Sequence, residues 1–240
     1  MVDFLNALTL LANYIIVPGL AYGSQLALGA LGVTMVYAVL RFSNFAHGEL
    51  MSFGAMCTIL CTWALQSFGI SLTILPTALL AIPVAALITI LYCIIINYFV
   101  YEHYREKKID TNTYFIVSIG VLFFTAGLIR LIIGPKDQNF ADGTRFVLKA
   151  REFKAMTGLN EGLAIKTTQG MTVIVTLVLV ALVFWFLNKT RTGKSMRAYS
   201  DNEDLALLSG INPKKVVLIT WIITGILATV AGSLYGLGKI

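Results

Sequence analysis

Residues 50–101 read LMSFGAMCTILCTWALQSFGISLTILPTALLAIPVAALITILYCIIINYFVY, a run of 52 residues without one charged side chain. A bilayer core takes about 20 apolar residues in helical form, so this run is long enough for two spans. Further uncharged runs cover residues 4–40, 111–129, 167–188 and 216–238. A soluble core would need polar helix faces within runs of this length. The sequence therefore predicts an all-α fold, a polytopic bundle of transmembrane helices.

The composition supports a membrane protein. Hydrophobic residues make up 58% of the 240 residues and charged residues only 12%, against roughly 25% charged in an average soluble domain. In a membrane protein the net charge of +6 concerns orientation and anionic lipid headgroups. We therefore expect membrane lipid as a partner and no nucleic acid.

Cysteine and histidine offer no pattern for metal binding. Cys57, Cys61 and Cys93 all lie in apolar runs, where they are read as small buried hydrophobic residues. The histidines are His47 and His103 alone. We therefore expect no disulfide framework, no metal site and no cofactor.

The uncharged runs predict about six spans and a short N-terminal apolar segment. Pro18-Gly19 is expected to break the first run and to leave a segment at about residues 4–17, which could span, re-enter or lie on the membrane. Pro76 and Pro83 are expected to kink the third span. The spans cover about residues 20–40, 46–66, 72–99, 113–133, 170–188 and 216–238.

The basic residues of the polar segments predict the orientation of the chain. If the fourth and fifth spans each cross once, residues 101–110 and 188–215 share a face with Arg41, and residues 134–167 lie opposite. The first face holds ten Lys and Arg and the opposite segment holds six. The positive-inside rule therefore favours a cytoplasmic loop at 188–215 and an extracytoplasmic loop at 134–167. Residues 1–240 are treated as a single transmembrane domain.

The strongest local signal is a polar interruption at residues 41–49, RFSNFAHGE, between two helices that are almost uncharged. An ionised Glu49 within the hydrocarbon would cost roughly 2–3.5 kcal/mol, so it would need a partner or a function. An ordinary helix cap is the alternative. Ser43 or Asn44 would then cap the second helix, with Glu49 near its positive end, and Arg41 would be a cytoplasmic anchor.

This interruption also carries a resemblance to a known family. Residues 28–37, LGALGVTMVY, and 43–50, SNFAHGEL, resemble the branched-chain amino acid permease family of ABC importers, whose hallmark is an apolar helix followed by NFAHGE. The resemblance implies that the glycine of this motif allows close helix approach. It also implies a place in the substrate pathway or its gate for Asn44, His47, Gly48 and Glu49.

A second match lies in the segment predicted to be cytoplasmic. Residues 192–198, TGKSMRA, and 204–212, DLALLSGIN, resemble the family's version of the EAA loop, through which ABC permeases dock onto their ATPase. Asp-Leu-Ala stands where a strict motif has Glu-Ala-Ala. The resemblance implies that residues 188–215 form an ATPase-coupling loop.

The side chains of this loop suit docking. Acidic residues favour a helix N-terminus near residues 201–204, and Gly210 would end that helix. Leu205 and Leu208, with Ala206 one position off, give it a short apolar face. A solvated loop with one surface helix is the alternative. The candidate coupling residues are Asp201, Glu203, Asp204, Ala206, Leu208 and Gly210.

Taken with the spans, the resemblance implies the membrane-spanning permease subunit of an ABC importer in a bacterial or archaeal cytoplasmic membrane. Such a subunit is not an enzyme. It forms the path for branched-chain or other small amino acids, while separate ATPase subunits hydrolyse ATP. The implied partners also include a second permease chain, identical or homologous, and a periplasmic or extracellular solute-binding protein. Family members continue beyond the point that corresponds to Ile240, so further spans are expected in a complete member.

Three other functions remain open at this stage. Close relatives of the family import urea and short amides, so the solute is less fixed than the transporter class. A stand-alone channel or secondary transporter would need its own charges in the membrane, and beyond Glu49 and Arg130 the spans supply almost none. A structural membrane subunit without a pathway is the third.

Overall fold

The structure is a computed structural model that describes residues 2–72, 75–107, 110–136, 138 and 146–238. Two π-helical turns, Ala12–Ile16 and Asn97–Tyr101, join α1 to α2 and α4 to α5. The α-helices are α1 (Val2–Leu11), α2 (Val17–Leu40), α3 (His47–Ser67), α4 (Ala78–Ile96), α5 (Glu102–Glu106), α6 (Thr111–Ile133), α7 (Ala150–Thr157), α8 (Thr167–Lys189), α9 (Arg191–Asp201), α10 (Glu203–Leu208) and α11 (Pro213–Gly238).

The predicted helical membrane bundle is confirmed. Among the residues that the structure describes, six helical segments are long and apolar enough to cross a membrane. Their positions follow the uncharged runs of the sequence, because in lipid a spanning segment must satisfy its backbone hydrogen bonds internally and present apolar side chains. The six segments are Asp3–Leu40, His47–Ser67, Ala78–Glu106, Thr111–Ile133, Thr167–Lys189 and Pro213–Gly238.

The predicted break at Pro18-Gly19 is wrong, because the first helix runs through it without interruption. The Val17 N–H bonds to the carbonyl of Ala12, five residues back, which widens the turn just before the proline. Pro18 therefore stands in the first turn of α2, where a missing N–H and a fixed φ are tolerated. The whole helix has 38 residues and a length of about 57 Å, more than the roughly 30 Å of a bilayer core.

The N-terminal part of this long helix contacts the segment after α7. The Asn6 Oδ1 accepts a hydrogen bond from the Glu161 N–H at 3.3 Å. The Asn13 Oδ1 accepts one from the Ala164 N–H at 3.1 Å. The segment at about residues 4–17 is thus helical and continuous with α2, and it lies against the 134–167 loop.

The third span begins at Ala78, later than predicted, because Pro76 precedes the helix and does not lie within it. Pro83 does lie inside α4. At the other end, the π-helical turn and α5 carry the helix as far as Glu106. The first part of the hydrophilic piece at 102–110 is therefore helical.

The last span, α11, is the centre of the bundle and packs against α2, α3 and α4. Small residues bring the helices together, as is common in membrane bundles. A Cβ atom at Gly232 would collide with the carbonyl of Met51, and one at Gly54 would lie 2.5 Å from the Thr229 Cα. Buried hydroxyls join the same helices, since the Thr58 and Ser233 oxygens are 2.7 Å apart.

The predicted 134–167 loop contains short elements of its own. Two strands, β1 (Phe146–Leu148) and β2 (Ile165–Lys166), pair antiparallel, with α7 between them in the chain. Residues 137 and 139–145 of this loop lie outside the described residues. Its extracytoplasmic position stays a prediction.

Candidate functional site

A cavity of about 950 Å³ lies between α2, α3, α11 and the C-terminal end of α6. This volume is within the range of ordinary small-molecule sites. Most of its wall is apolar and includes Leu26, Val33, Met51, Met56, Ile59, Ile129 and Ile133. A few polar side chains interrupt the wall, among them Gln25, His47, Ser52, Lys136 and Gln138.

The cavity follows the long axis of the bundle. At one end it is lined by His47 and Gly48, at the N-terminus of α3, and at the other by Gly134 and Lys136, just after α6. The N-terminus of α3 lies beside the first half of α6, since the Phe45 N–H donates to the Ser118 Oγ at 3.2 Å. The two ends of the cavity are therefore at different depths in the bundle.

His47 is buried at the α3 end of the cavity, with only 2% of its surface exposed. Its ring faces Gly32 on α2, where a Cβ atom would collide with the imidazole. The Gly29 carbonyl approaches the ring, but among the described residues neither ring nitrogen has a partner in hydrogen-bond geometry. Both nitrogens are themselves buried, and Nε2 faces the place where Gly32 has no side chain, so a solute in the cavity reaches them only after the ring turns.

Asn44 lies two residues before the N-cap of α3 and does not line the cavity. Its Oδ1 accepts hydrogen bonds from the Ala46 N–H and from the Tyr101 hydroxyl, both at 3.1 Å. The bond to Ala46 closes a local turn before the helix. The cap predicted at Ser43 or Asn44 is wrong, because the N-cap residue is Ala46 and no side chain caps α3. The pathway assignment of Asn44 stays a prediction.

Gly48 and Glu49 differ in what they contact. Gly48 lines the cavity, and no described atom lies within 4 Å of where its Cβ would stand. The close helix approach implied for Gly48 is therefore wrong, and Gly32 makes such an approach instead. Glu49 is half-buried in the first turn of α3, outside the cavity lining, where a negative charge favours the helix dipole. It forms no ion pair with the residues that the structure describes.

Sequence reasoning missed Gly32 and Gln25. Gly29 and Gly32 are three residues apart in α2, a spacing that places two small residues on one helix face, and this was the available signal. Gln25 donates through its Nε2 to the Leu234 carbonyl at 3.2 Å. Nothing in the sequence pairs residues that lie so far apart.

The predicted coupling loop forms two short helices, α9 and α10. Asn202 caps α10 through its Oδ1, which accepts from the Leu205 N–H at 3.0 Å. Glu203 and Asp204 lie in the first turn, as predicted. Asp201 does not, because it is the last residue of α9. After α10 the chain turns at Gly210, whose φ of 80° favours glycine.

The apolar residues of α10 divide between two faces. Leu205 and Leu208 are 60% and 85% exposed, whereas Ala206 is only 3% exposed. The single apolar face that includes Ala206 is therefore wrong. Ala206 instead joins a buried cluster with Met35, Val39, Met196, Tyr199 and Val216.

Polar contacts also hold these helices in place. The Tyr199 hydroxyl donates to the Glu203 carboxylate at 2.6 Å, and burial together with this carboxylate raises the pKa of Tyr199. At the start of α11, the Lys214 Nζ lies 2.8 Å from the Glu102 carboxylate of α5. The α9–α10 segment (Arg191–Asp201 and Glu203–Leu208) packs against the bundle through Met196, Tyr199 and Ala206 on one side and exposes leucines on the other.

The chain is similar to a set of transport proteins. A family model described as branched-chain amino acid transport system / permease component matches residues 15–239. The high-affinity branched-chain amino acid transport system permease protein LivH of Salmonella typhimurium is 31% identical over 221 residues, which cover 91% of this chain and 68% of that protein.

Two further relatives extend the similarity. The high-affinity branched-chain amino acid transport system permease protein BraD of Pseudomonas aeruginosa is 28% identical over 227 residues, or 92% of this chain and 70% of that protein. The probable branched-chain amino acid transport permease protein LivH of Methanocaldococcus jannaschii is 28% identical over 214 residues, or 89% and 62%. No solved structure matches the chain.

Proposed function

The chain belongs to the family of branched-chain amino acid transport permeases, and we propose that it forms the path for a branched-chain or other small amino acid in an ABC importer. It is a multi-pass protein of the cytoplasmic membrane. The observation that carries the proposal is the cavity whose α3 end is lined by His47 and Gly48 of the NFAHGE motif.

The chemistry of the cavity suits an aliphatic amino acid. An apolar wall containing Val33, Met51 and Ile59 gains free energy when it covers an aliphatic side chain. Hydrogen bonds for the carboxylate and the amino group would come from polar lining side chains such as Ser52, and from His47 once its buried ring turns toward the solute. Urea or a short amide would leave the apolar wall without a complementary group, which is why the branched-chain solute is preferred.

We assign ATP hydrolysis to separate subunits that dock on the α9–α10 segment. Leu205 and Leu208 project from it, and Glu203 and Asp204 place negative charge beside them. An exposed apolar pair next to charges is the usual composition of a docking patch. Gly210 provides the turn that returns the chain to α11.

Two further partners belong to the proposal. A second permease chain would close the open side of the cavity, because the lining comes from part of one bundle only. A solute-binding protein would deliver the amino acid at the end near Lys136 and the predicted extracytoplasmic loop. Closure of the ATPases would then expose the solute to the other side by alternating access.

The test is uptake of labelled leucine by proteoliposomes that contain this chain with its ATPase subunits and binding protein. We expect ATP-dependent uptake, competed by isoleucine and valine and not by acetamide or urea. Replacing Ala30, which lines the cavity, with tryptophan should abolish uptake. The matched control is Leu20→Trp on the same helix, which is exposed away from the cavity and should transport normally. Absence of ATP-dependent uptake, or equal uptake by Ala30→Trp, would refute the proposal.

A further inference from the structure

Arg41 ends α2 in an unusual backbone conformation. Its φ of 57° and ψ of 25° are left-handed, and its N–H closes the helix by bonding to the Tyr37 carbonyl at 3.0 Å. Among the described residues it is the one non-glycine residue with a positive φ. Residues with a side chain seldom adopt this conformation. Here it accompanies a specific contact, because the Arg41 guanidinium donates to the Ser200 carbonyl in the last turn of α9.

Ser200 returns a hydrogen bond to α2. Its hydroxyl donates to the Ala38 carbonyl at 2.7 Å. The two helix ends are thus joined by a pair of hydrogen bonds that run in opposite directions, and each satisfies a carbonyl near a helix C-terminus. The positive charge of Arg41 also suits the C-terminal end of α9.

Apolar packing lies beside these hydrogen bonds. Met35 and Val39 of α2 share a buried cluster with Met196 of α9 and Ala206 of α10. The α9–α10 segment and the last turns of α2 therefore form one packed unit, with the exposed leucines of α10 directed away from it.

The same helix reaches the cavity. Gly29, Ala30 and Val33 of α2 line it, and Gly32 receives the ring of His47. Because Gly29 and Gly32 place no side chain between α2 and α3, a small shift of α2 along its axis changes the contact with His47. A displacement of the α9–α10 segment would therefore be transmitted by α2, as one rigid helix, to the contact between Gly32 and His47.

We propose that Arg41 and Ser200 form a latch that transmits movement of the α9–α10 segment to α2 and so to the His47 end of the cavity. The latch rests on the proposed function, in which an ATPase moves this segment. Arg41 acts as a positioning residue: it contacts neither the cavity nor the exposed leucines.

The informative variant is Arg41→Gly. Glycine adopts the left-handed conformation freely, so the end of α2 is retained and only the guanidinium is lost. In the complete transporter, we expect normal ATPase association and ATP hydrolysis, with leucine uptake per ATP reduced about three- to tenfold. Arg41→Lys, which keeps a charged donor, should restore part of the loss. The matched control is Arg105→Gln on α5, outside the docking segment, whose guanidinium bonds to the Asn97 Oδ1 at 3.2 Å and whose loss should leave uptake per ATP unchanged.

A second measurement tests the latch without relying on uptake. Hydrogen–deuterium exchange of the complete transporter would be recorded with and without ATP at residues 36–41 and 198–208. We expect both regions to respond together in the unsubstituted protein and only the second to respond in Arg41→Gly. Joint responses in Arg41→Gly, or a loss of uptake per ATP equal to that of Arg105→Gln, would overturn the latch. Joint exchange responses without any leucine uptake would instead refute the proposed function and support the latch.

Discussion

Gly32 of α2 and His47 of α3 fit together so closely that a Cβ atom on the glycine would collide with the imidazole ring. The contact lies at one end of the cavity and joins two helices that both line it. The His47 ring has no hydrogen-bond partner among the described residues, and Gly32 has no side chain. Their contact thus lies at the boundary of the cavity. Substitutions on either side of the contact separate the roles of shape and polarity.

Gly32→Ala tests shape. The added methyl group must displace the ring, and overpacking of this kind costs about 1–3 kcal/mol. We expect a lower thermal stability in detergent and reduced leucine uptake. The double variant Gly32→Ala/His47→Ala should recover stability, because the methyl group then fills the vacated space. Gly23→Ala is the control, since no described atom lies within 4 Å of that Cβ position. Equal effects at the two glycines would contradict the tight contact.

His47→Phe tests polarity. Phenylalanine removes the two buried nitrogens, which favours the folded state, but its larger ring must fit against Gly32, so the two effects oppose each other and stability should change little. Uptake of leucine should nevertheless fall about tenfold, the loss expected for one hydrogen bond to the solute. Stability is measured by thermal unfolding and uptake in proteoliposomes. Wild-type uptake by the phenylalanine variant would make His47 a packing residue.

Glu49→Gln separates a helix-end charge from a pathway charge. Glu49 lies in the first turn of α3 and outside the cavity lining. We therefore expect a loss of about 0.3–1 kcal/mol of stability from the helix dipole, with uptake per transporter unchanged. Uptake that drops while expression and stability hold would return Glu49 to the pathway, as the NFAHGE resemblance implied.

Leu208→Asp tests docking. Leu208 is 85% exposed, so the substitution should change the free energy of unfolding by less than about 0.5 kcal/mol. Co-purification with the ATPase subunits should be lost, because a charge replaces the apolar centre of the patch. Met156→Asp is the matched control. Met156 is 79% exposed on α7, in the loop predicted to lie on the opposite side of the membrane from the α9–α10 segment. If Leu208→Asp retains the ATPase, the docking surface lies elsewhere.

Much of the fold could be predicted from the sequence, because in lipid each span must by itself be apolar and satisfy its backbone hydrogen bonds. The uncharged run at 50–101 contains most of α3 and all of α4 with its π-helical turn, as expected. The break predicted at Pro18 is wrong, because a π-helical turn just before the proline lets the helix continue without the proline N–H. Such a turn depends on backbone geometry that hydropathy does not record.

The candidate site was only partly predictable. The NFAHGE motif identified His47 and Gly48, which line the cavity. Their partners on other helices, Gly32 and Ile133, follow from how the helices pack and have no local signal. The burial of Ala206 was missed for the same reason, since a helix as short as α10 shows its buried face only against its neighbours.

The hydrogen bond between Tyr101 and Asn44 has a consequence for biogenesis. The Asn44 side chain holds the turn that leads into α3, yet one of its two partners lies 57 residues further along the chain, beyond the end of α4. A ribosome that has completed α3 has not yet made the residue that completes the hydrogen bonding of this turn. The second and third spans are therefore expected to reach their final arrangement together during membrane insertion, after Tyr101 has left the ribosome.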